Sequence, residues 1–479
     1  MTVSLFLGAA RRHANIGRKR VTVTVFCLAF GLSAASAETI DDYLAREMAL
    51  RKIPGLAWAV VENGALTRQG ALGLAEVENS APVTVGSIFA IASLDKQLTA
   101  AGVLEAAELG RLGLDDPVAK WVDVNFPGVT LRHLLSHTSG LPDQVAGTIE
   151  GRGFSDYTTA QLLATVGALV PVAPPGHRFL YSDAGLFLAQ LATERAAGEP
   201  WWTFVQRELF APAGVTTALS MAPGALIAGR VHAYTLDDTG ELRRDRRLDV
   251  DYGPLYNDLG MTAADFARWL AALDTGRPLS AASVAAMTTP VRLAGGEAAG
   301  ELFQWSRYGW GVGLDDFLGE PVVLHSGHSG VGFVRFPARR LAVVVFTNLE
   351  HPAGSDPVGL ALGIAGLVAP ELSLATLPAA ADDATSAATR AVYELLLAGT
   401  PDLASYAPAY RAIAWEGAGG LAGRAPRLGT LASFELVRAA TLDGERSALC
   451  RAIHARGTLY VRFSFDEAGK ITRLVWWHV

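Results

Sequence analysis

The apolar positions that follow residue 38 recur at helical spacing. Ile40, Tyr43 and Leu44 would share one face of a helix whose first turn begins at or near Thr39. A Pro-Gly pair at 54–55 then interrupts the pattern. The sequence therefore predicts one amphipathic helix before the first strand.

Two short segments rich in apolar residues follow that helix. They cover Gly55 to Glu62 and Ala65 to Gly73, and the Asn63-Gly64 pair between them is a strong hairpin signal because both residues tolerate positive φ. A continuous apolar segment, Leu341 to Thr347, predicts a buried strand, and Gly359 to Val368 predicts a buried helix. A sheet is therefore expected to receive strands from both sides of a long central region.

The C-terminal part of the chain shows a separate pattern. Residues 376–388 combine Ala, Asp, Ser and Thr without apolar periodicity, which predicts a linker. A helix is expected from Thr389 to Leu397, within a small α+β domain over 389–479 that holds no catalytic pattern. One of Trp476 and Trp477 is expected in its core and the other against the first domain. Four strands are predicted there: Ser433 to Val437, Ala448 to His454, Thr458 to Phe465 and Ile471 to Trp477.

Residues 1–37 have the order of an export signal. Basic residues between Arg11 and Arg20 precede an apolar segment, Val21 to Leu32, and Ala35-Ser36-Ala37 is typical of a cleavage site. The apolar segment is short for a spanning helix, so we expect cleavage after Ala37 rather than an uncleaved membrane anchor. A periplasmic or secreted location follows.

Composition narrows the function classes. Half of the residues are apolar, which supports a large core. Without residues 1–37 the chain would carry 35 basic and 47 acidic residues, a formal charge of −12, which disfavours nucleic acid and anionic lipid as partners. After cleavage we expect no stable membrane insertion and no disulfide, because Cys450 alone remains. His325 and His328 form a close histidine pair but lack nearby ligands in sequence, so no metal and no cofactor are expected.

Chemistry is first indicated where a serine precedes a lysine by three positions at a predicted helix start. Ser93 and Lys96 would share a helix face, so the lysine could take the hydroxyl proton or stabilise the developing alkoxide. A surface lysine near an ordinary helix start is the alternative, because this four-residue pattern is weak alone. The scarcity of lysine strengthens the first interpretation. The chain has five lysines: Lys19, Lys52, Lys96, Lys120 and Lys470.

Two later segments, taken with Ser93-x-x-Lys96, resemble the class C β-lactamase and penicillin-binding-protein-like serine hydrolases. Tyr181-Ser182-Asp183 is similar to the Tyr-x-Asn element of that superfamily, and His325-Ser326-Gly327 to its His-x-Gly strand. Segments at 129–142 and 260–273 also look like those of the family. The resemblance therefore rests on several spaced elements in one order.

The resemblance covers about residues 40 to 370 and implies a fold. We expect an α+β (α/β sandwich) hydrolase domain over 38–375, with the β-lactamase/DD-peptidase-like fold. That fold has an antiparallel sheet flanked by helices and an all-helical lobe, with the active site between them. Many members carry a small α+β module like the one predicted at the C-terminus.

The resemblance also implies roles for the central residues. Ser93 would be the nucleophile and Tyr181 the general base, with Lys96 tuning both. Whether Tyr181 or Lys96 acts as the base stays open at this point. His137, in a family-like segment, is expected to be packed or hydrogen-bonded rather than catalytic.

The predicted third element would complete the site. His325 would lie on a strand beside the nucleophile, and Gly327 would permit close approach of the backbone. The amide of His328 would then pair with the amide of Ser93 as an oxyanion hole. His328-Ser329-Gly330 is a second His-x-Gly, and we prefer His325 because it follows the apolar strand directly.

Asp183 departs from the asparagine of the family. An amide can donate to a substrate carbonyl, whereas an ionised carboxylate only accepts. Asp183 could pair with Lys96 and hold it protonated, or it could bind a cationic group of the substrate. Either role makes recognition of β-lactams and peptide amides less favourable.

The sequence thus predicts a serine hydrolase that works through an acyl-enzyme. Its substrates would be esters, D-amino-acid peptides or amides, or β-lactams, with esterase or D-peptidase-like activity favoured over efficient β-lactamase activity. The expected partner is a small acyl compound or a peptidoglycan-like peptide. The alternative is a non-catalytic, penicillin-receptor-like sensor on the same fold.

Overall fold

Strands lie at both ends of a long helical region. The computed structural model describes residues 38–142, 158–221, 225–237, 239–245, 259–300, 305–351, 354–380, 383–411, 421–423, 425–442 and 444–478. The strands of this described part are β1 (Gly55–Glu62), β2 (Ala65–Glu76), β3 (Ala81–Pro82), β4 (Phe89–Ala90), β5 (Leu219–Ser220), β6 (Tyr234–Leu236), β7 (Leu242–Arg244), β8 (Leu259–Met261), β9 (Arg307–Tyr308), β10 (Gly313–Phe317), β11 (Glu320–Gly327), β12 (Val331–Phe336), β13 (Leu341–Thr347), β14 (Leu431–Leu442), β15 (Glu445–His454), β16 (Gly457–Phe465) and β17 (Ile471–His478).

The α-helices fall mostly between β4 and β9. Over the same described ranges they are α1 (Ile40–Arg51), α2 (Asp95–Glu108), α3 (Leu131–Leu135), α4 (Thr159–Gly167), α5 (Asp183–Ala197), α6 (Trp201–Val205), α7 (Ala211–Ala213), α8 (Ala263–Ala272), α9 (Ala281–Met287), α10 (Pro357–Val368), α11 (Asp383–Leu397) and α12 (Ala425–Leu428).

Local signals near the N-terminal strands are confirmed. The Thr39 side chain caps α1 by accepting from the Asp42 amide. Asn63 and Gly64 have φ of 55° and 80°, the left-handed pair that a two-residue hairpin requires. β2 continues to Glu76, three residues beyond the predicted end at Gly73.

The main sheet is antiparallel and has eight strands in the order β3-β2-β1-β13-β12-β11-β10-β9. Alternate residues of its central strands enter two different cores. Ala59 and Val344 pack with α2, α5 and α8 of the helical lobe. Val60 and Val343 pack with α1 and α10 on the opposite face. The expected sheet flanked by helices, with a helical lobe, is therefore the observed fold.

The C-terminal module, residues 383–478, contains a second antiparallel sheet in the order β14-β15-β16-β17, with α11 against one face. All four predicted strands are present. The predicted linker is too long, because α11 begins at Asp383 rather than at Thr389. Alanine favours helix even where apolar periodicity is missing. The domain boundary itself stays a prediction, since residues from Thr39 onward cluster as one unit.

The predicted signal, residues 1–37, lies outside the described residues. Across the part of the chain that is described, no helix combines the length and the apolar character needed to span a bilayer.

Candidate active site

Ser93 lies in a 3₁₀ turn, Ala92–Leu94, that leads directly into α2. Ala92 has a φ of 44°, a left-handed conformation that residues with a Cβ rarely adopt, so the backbone is strained beside the serine. Lys96 Nζ donates to Ser93 Oγ over 3.0 Å. The pairing predicted from the sequence spacing is therefore present.

The ammonium of Lys96 is buried among oxygen atoms. Asp183 Oδ1 lies 2.6 Å from Nζ, and Asp95 Oδ1 lies 4.0 Å from it. Burial alone would lower the pKa of Lys96, but the carboxylates of Asp183 and Asp95 outweigh burial and hold the pKa above its ordinary value. Lys96 is therefore a charged group next to the serine hydroxyl.

Asp183 is placed by the start of α5. Ser182 caps this helix, its Oγ accepting from the Gly185 amide, and Asp183 is the first helical residue. Of the two roles expected for the carboxylate, pairing with Lys96 is the one that the geometry shows. The departure from asparagine thus changes the charge around the lysine.

Asp95 is a feature that sequence reasoning missed. It lies between the serine and the lysine in α2 and is 2% exposed. Burial raises its pKa to about 8, although Lys96 opposes the shift. A carboxyl residue within an apolar helical turn, directly before a lysine, was the available signal.

Tyr181 also lies close to Lys96. Lys96 Nζ is 5.0 Å from the centroid of the Tyr181 ring, which is cation–π geometry. The ring also packs against His137, with centroids 4.4 Å apart. His137 Nδ1 accepts from the Ser182 amide over 3.0 Å, and burial lowers the pKa of this imidazole well below its usual value. The packed, hydrogen-bonded role predicted for His137 is confirmed.

His325 is buried on β11 near Tyr181 and Lys96. Its Nδ1 is 2.8 Å from the Ser326 carbonyl oxygen and donates to it, which leaves Nε2 to accept from Tyr308 Oη over 3.3 Å. Burial and the nearby Lys96 lower the pKa of His325 to about 3, so the ring is neutral. Its centroid is 6.3 Å from that of Tyr181.

Two further aromatic residues pack with His325 and form one wall of the site with it. The sequence reasoning gave neither of them a site role. Trp305 packs against His325 with the ring planes tilted and the centroids 4.5 Å apart. Tyr308 is fully buried and contacts both His325 and Tyr181. Aromatic residues alternating with glycine, as in Tyr308-Gly309-Trp310-Gly311, were the available signal.

Gly327 brings the end of β11 against the nucleophile turn. A Cβ at this position would lie 2.9 Å from Ile91 O and 3.1 Å from Ala92 Cβ, so only glycine fits without displacement. The side chain of His328, half exposed, is directed elsewhere and pairs with Glu350 over 3.3 Å. Of His325 and His328, His325 is thus the one whose imidazole is buried near Tyr181.

The structure therefore brings Ser93, Lys96, Asp183, Tyr181 and His325 together between the sheet and the helical lobe. A serine hydroxyl at a strained helix start, hydrogen-bonded to a buried charged lysine, is suited to nucleophilic attack on a carbonyl. An antiparallel sheet flanked by helices, with this pair at the lobe interface, defines the class of penicillin-binding-protein-like serine hydrolases.

Comparison with known proteins gives the family. A family model described as Beta-lactamase matches residues 40–366, and the chain belongs to this family. Penicillin-binding protein 4* of Bacillus subtilis (strain 168) is 29% identical over 267 residues, 51% of this chain and 57% of that protein. Esterase EstB of Burkholderia gladioli is 31% identical over 206 residues, 39% of this chain and 52% of that protein. The chain thus spans just over half the length of these two relatives.

A solved structure extends the likeness to most of the chain. The octameric penicillin-binding protein homologue from Pyrococcus abyssi superimposes with a TM-score of 0.61 at 21% identity, covering 89% of this chain and 96% of that one. At this identity the likeness concerns the fold alone.

Proposed function

We propose that this protein is a serine hydrolase that acts on esters through an acyl-enzyme formed at Ser93. The observation that carries the proposal is the position of Lys96, whose ammonium lies 3.0 Å from Ser93 Oγ and 2.6 Å from Asp183. A buried charged lysine stabilises the alkoxide as it develops. The same ion pair argues against Lys96 as the proton acceptor, since the carboxylate holds its proton in place.

Tyr181 is the base in this proposal. Ser93 Oγ attacks the carbonyl carbon of the substrate, and the Ser93 hydroxyl proton passes to the phenolic oxygen of Tyr181, which is deprotonated at the start of the step and whose ring lies beside Lys96. The amides of Ser93 and His328 hold the tetrahedral oxyanion. When the intermediate collapses, the leaving alcohol takes the proton from Tyr181, and water later attacks the acyl-enzyme to release the acid.

Esters rank above amides and β-lactams because of Asp183. Its carboxylate only accepts hydrogen bonds and is already paired with Lys96, so it offers no donor to the carbonyl of a peptide or lactam side chain. Efficient hydrolysis of an amide also demands more help to the leaving group. We infer a small acyl ester as the main substrate class, with D-peptides or peptidoglycan-like peptides second.

Location is part of the proposal. The export signal of residues 1–37 would place the mature enzyme in the periplasm or outside the cell. N-terminal sequencing of the exported protein is expected to begin at Glu38, and an intact Met1 would contradict cleavage.

Labelling with a fluorophosphonate tests the nucleophile. Intact mass is expected to show one adduct on the parent and none on Ser93→Ala, while Ser433→Ala on β14 serves as the matched serine control and labels normally. Turnover of a phenyl ester, a D-alanyl dipeptide and a cephalosporin would then rank the substrates. An unlabelled, well-folded parent would favour the non-catalytic sensor, and rapid cephalosporin turnover would reverse the ranking.

A further inference from the structure

The C-terminal module packs on the strands that carry the candidate site. One continuous apolar cluster contains Tyr308 and Phe317 of the main sheet together with Leu449 and Trp477 of the module. The rings of Phe317 and Trp477 meet edge to face, with centroids 6.0 Å apart. As expected from sequence, one of the two adjacent tryptophans contacts the first domain.

A buried arginine of the module lies at this contact. Arg462 on β16 donates from Nη2 to Asp315 Oδ2 over 2.6 Å and from Nη1 to the Asp316 carbonyl oxygen over 2.8 Å. Its guanidinium carbon lies 5.2 Å from the centroid of Trp477. Arg462 and Asp315 are 5% and 3% exposed, so both charges are removed from water. A planar guanidinium with fixed acceptors holds β10 in one place.

The same aspartate leads towards the active site. Asp315 Oδ1 accepts from Ser306 Oγ over 2.8 Å, and Arg473 of the module donates to the Ser306 carbonyl oxygen over 3.3 Å. Ser306 is adjacent in sequence to Trp305, which packs against His325 with centroids 4.5 Å apart. The contacts are therefore continuous from the module to the wall of the site.

We propose that the C-terminal module acts as a positioning element for the acyl-transfer site. Arg462, through Asp315 and Ser306, holds Trp305 against His325 and so keeps β11 at its distance from Ser93. This inference rests on the proposed function, because the positioning effect is measured through the rate of ester hydrolysis. Arg462 is a positioning residue and touches no reacting atom.

Replacing Arg462 in the full chain tests the inference. Arg462→Met is expected to lower kcat for a phenyl ester about tenfold with KM changed less than twofold, because small displacements of catalytic groups cost rate while the binding surface is untouched. The rate of fluorophosphonate labelling should fall in parallel. Arg462→Lys should recover part of kcat, since it keeps the charge but not the fork.

Two controls separate positioning from lost stability. Arg451→Met on β15 removes an arginine that donates to Glu435 over 2.7 Å and to the Leu377 carbonyl oxygen over 3.0 Å rather than to β10, and it should leave kcat within twofold of the parent. Arg462→Met with Asp315→Asn removes both charges, so thermal stability should recover while kcat stays low.

The outcomes distinguish this inference from the proposed function. A parent that neither labels nor turns over esters would refute the proposed function. A parent that does both, with Arg462→Met and Arg451→Met equally active or equally impaired, would overturn the positioning role. Recovery of kcat in the double variant would also overturn it.

Discussion

Two buried cations of this protein have similar surroundings. Lys96 and Arg462 each lie 2.6 Å from an aspartate oxygen, that of Asp183 and Asp315 respectively. Each also lies over an aromatic ring, at 5.0 Å from the Tyr181 centroid for Lys96 Nζ and 5.2 Å from the ring of Trp477 for Arg462. Burial, ion pairing and an aromatic neighbour therefore do not by themselves mark a catalytic residue.

The third partner of each cation makes the difference. Lys96 donates to Ser93 Oγ, a hydroxyl that can lose its proton, whereas Arg462 donates to the main-chain oxygen of Asp316. A lysine is a compact point charge, and an arginine is a rigid fork that matches fixed acceptors. The first arrangement can follow a change in charge during a reaction, and the second holds two elements in one geometry.

The largest effect is expected from Lys96→Met. Loss of the ammonium beside Ser93 should lower kcat/KM for an ester about 10³-fold, because the developing alkoxide loses its charge partner. Lys96→Arg should not restore activity, since a planar guanidinium cannot take the place of the ammonium, whereas Arg462→Lys should recover part of kcat. Steady-state kinetics with circular dichroism as the folding control would decide. An active Lys96→Arg would contradict the distinction between a lysine acting as a point charge and an arginine acting as a rigid fork.

Tyr181→Phe is expected to follow, with a loss of about 10²- to 10³-fold in kcat. The ring and its contact with the ammonium remain, so only the hydroxyl is removed. Single-turnover acylation measured by stopped flow isolates this step. A loss below tenfold would remove Tyr181 as the base.

Asp183→Asn should produce a smaller effect with a defined sign. The carboxylate holds the pKa of Lys96 above its ordinary value, so without it that pKa falls. Activity that depends on the charged lysine is lost as the pH rises into the alkaline range. In the variant this loss should occur at a lower pH than in the parent. The pH profile of kcat/KM for an ester measures this shift. Asp116→Asn, which removes the carboxylate that pairs with the exposed Lys120, should leave the profile unchanged.

The amide of the same variant should also alter substrate choice. The side-chain amide that Asp183→Asn introduces could donate to a substrate carbonyl, so the ratio of D-peptide to ester turnover should rise about tenfold. An unchanged ratio would show that position 183 does not select between these substrates.

The smallest effect is expected from Asp95→Asn, and it concerns stability. Burial raises the folded-state pKa of Asp95 from 3.8 to about 8, so the folded protein binds this proton more tightly than the unfolded chain. The contribution of the Asp95 carboxyl to the free energy of unfolding is fully present below pH 4 and is lost as the pH rises through 8. The difference in urea midpoint, variant minus parent, should therefore be larger at pH 8.5 than at pH 5. An equal difference at both pH values would contradict the assignment.

Sequence patterns predicted the parts of the fold that depend on neighbours along the chain. The hairpin at Asn63-Gly64 follows from the φ values that these residues tolerate, and the contact of Ser93 with Lys96 follows from helical spacing. The end of the predicted linker was wrong, because a helix rich in alanine needs no apolar periodicity to begin at Asp383.

What the sequence by itself determined is the set of local geometries and the order of the family elements. Only the tertiary structure decided which distant groups meet. Arg462 and Asp315 pair across 147 positions, and neither carries a periodic signal that could announce the other. Tyr308 likewise contacts His325 and Tyr181 only because the tertiary structure brings them together. Such contacts arise from the packing of two sheets, where burial and charge compensation act between residues that no local period connects.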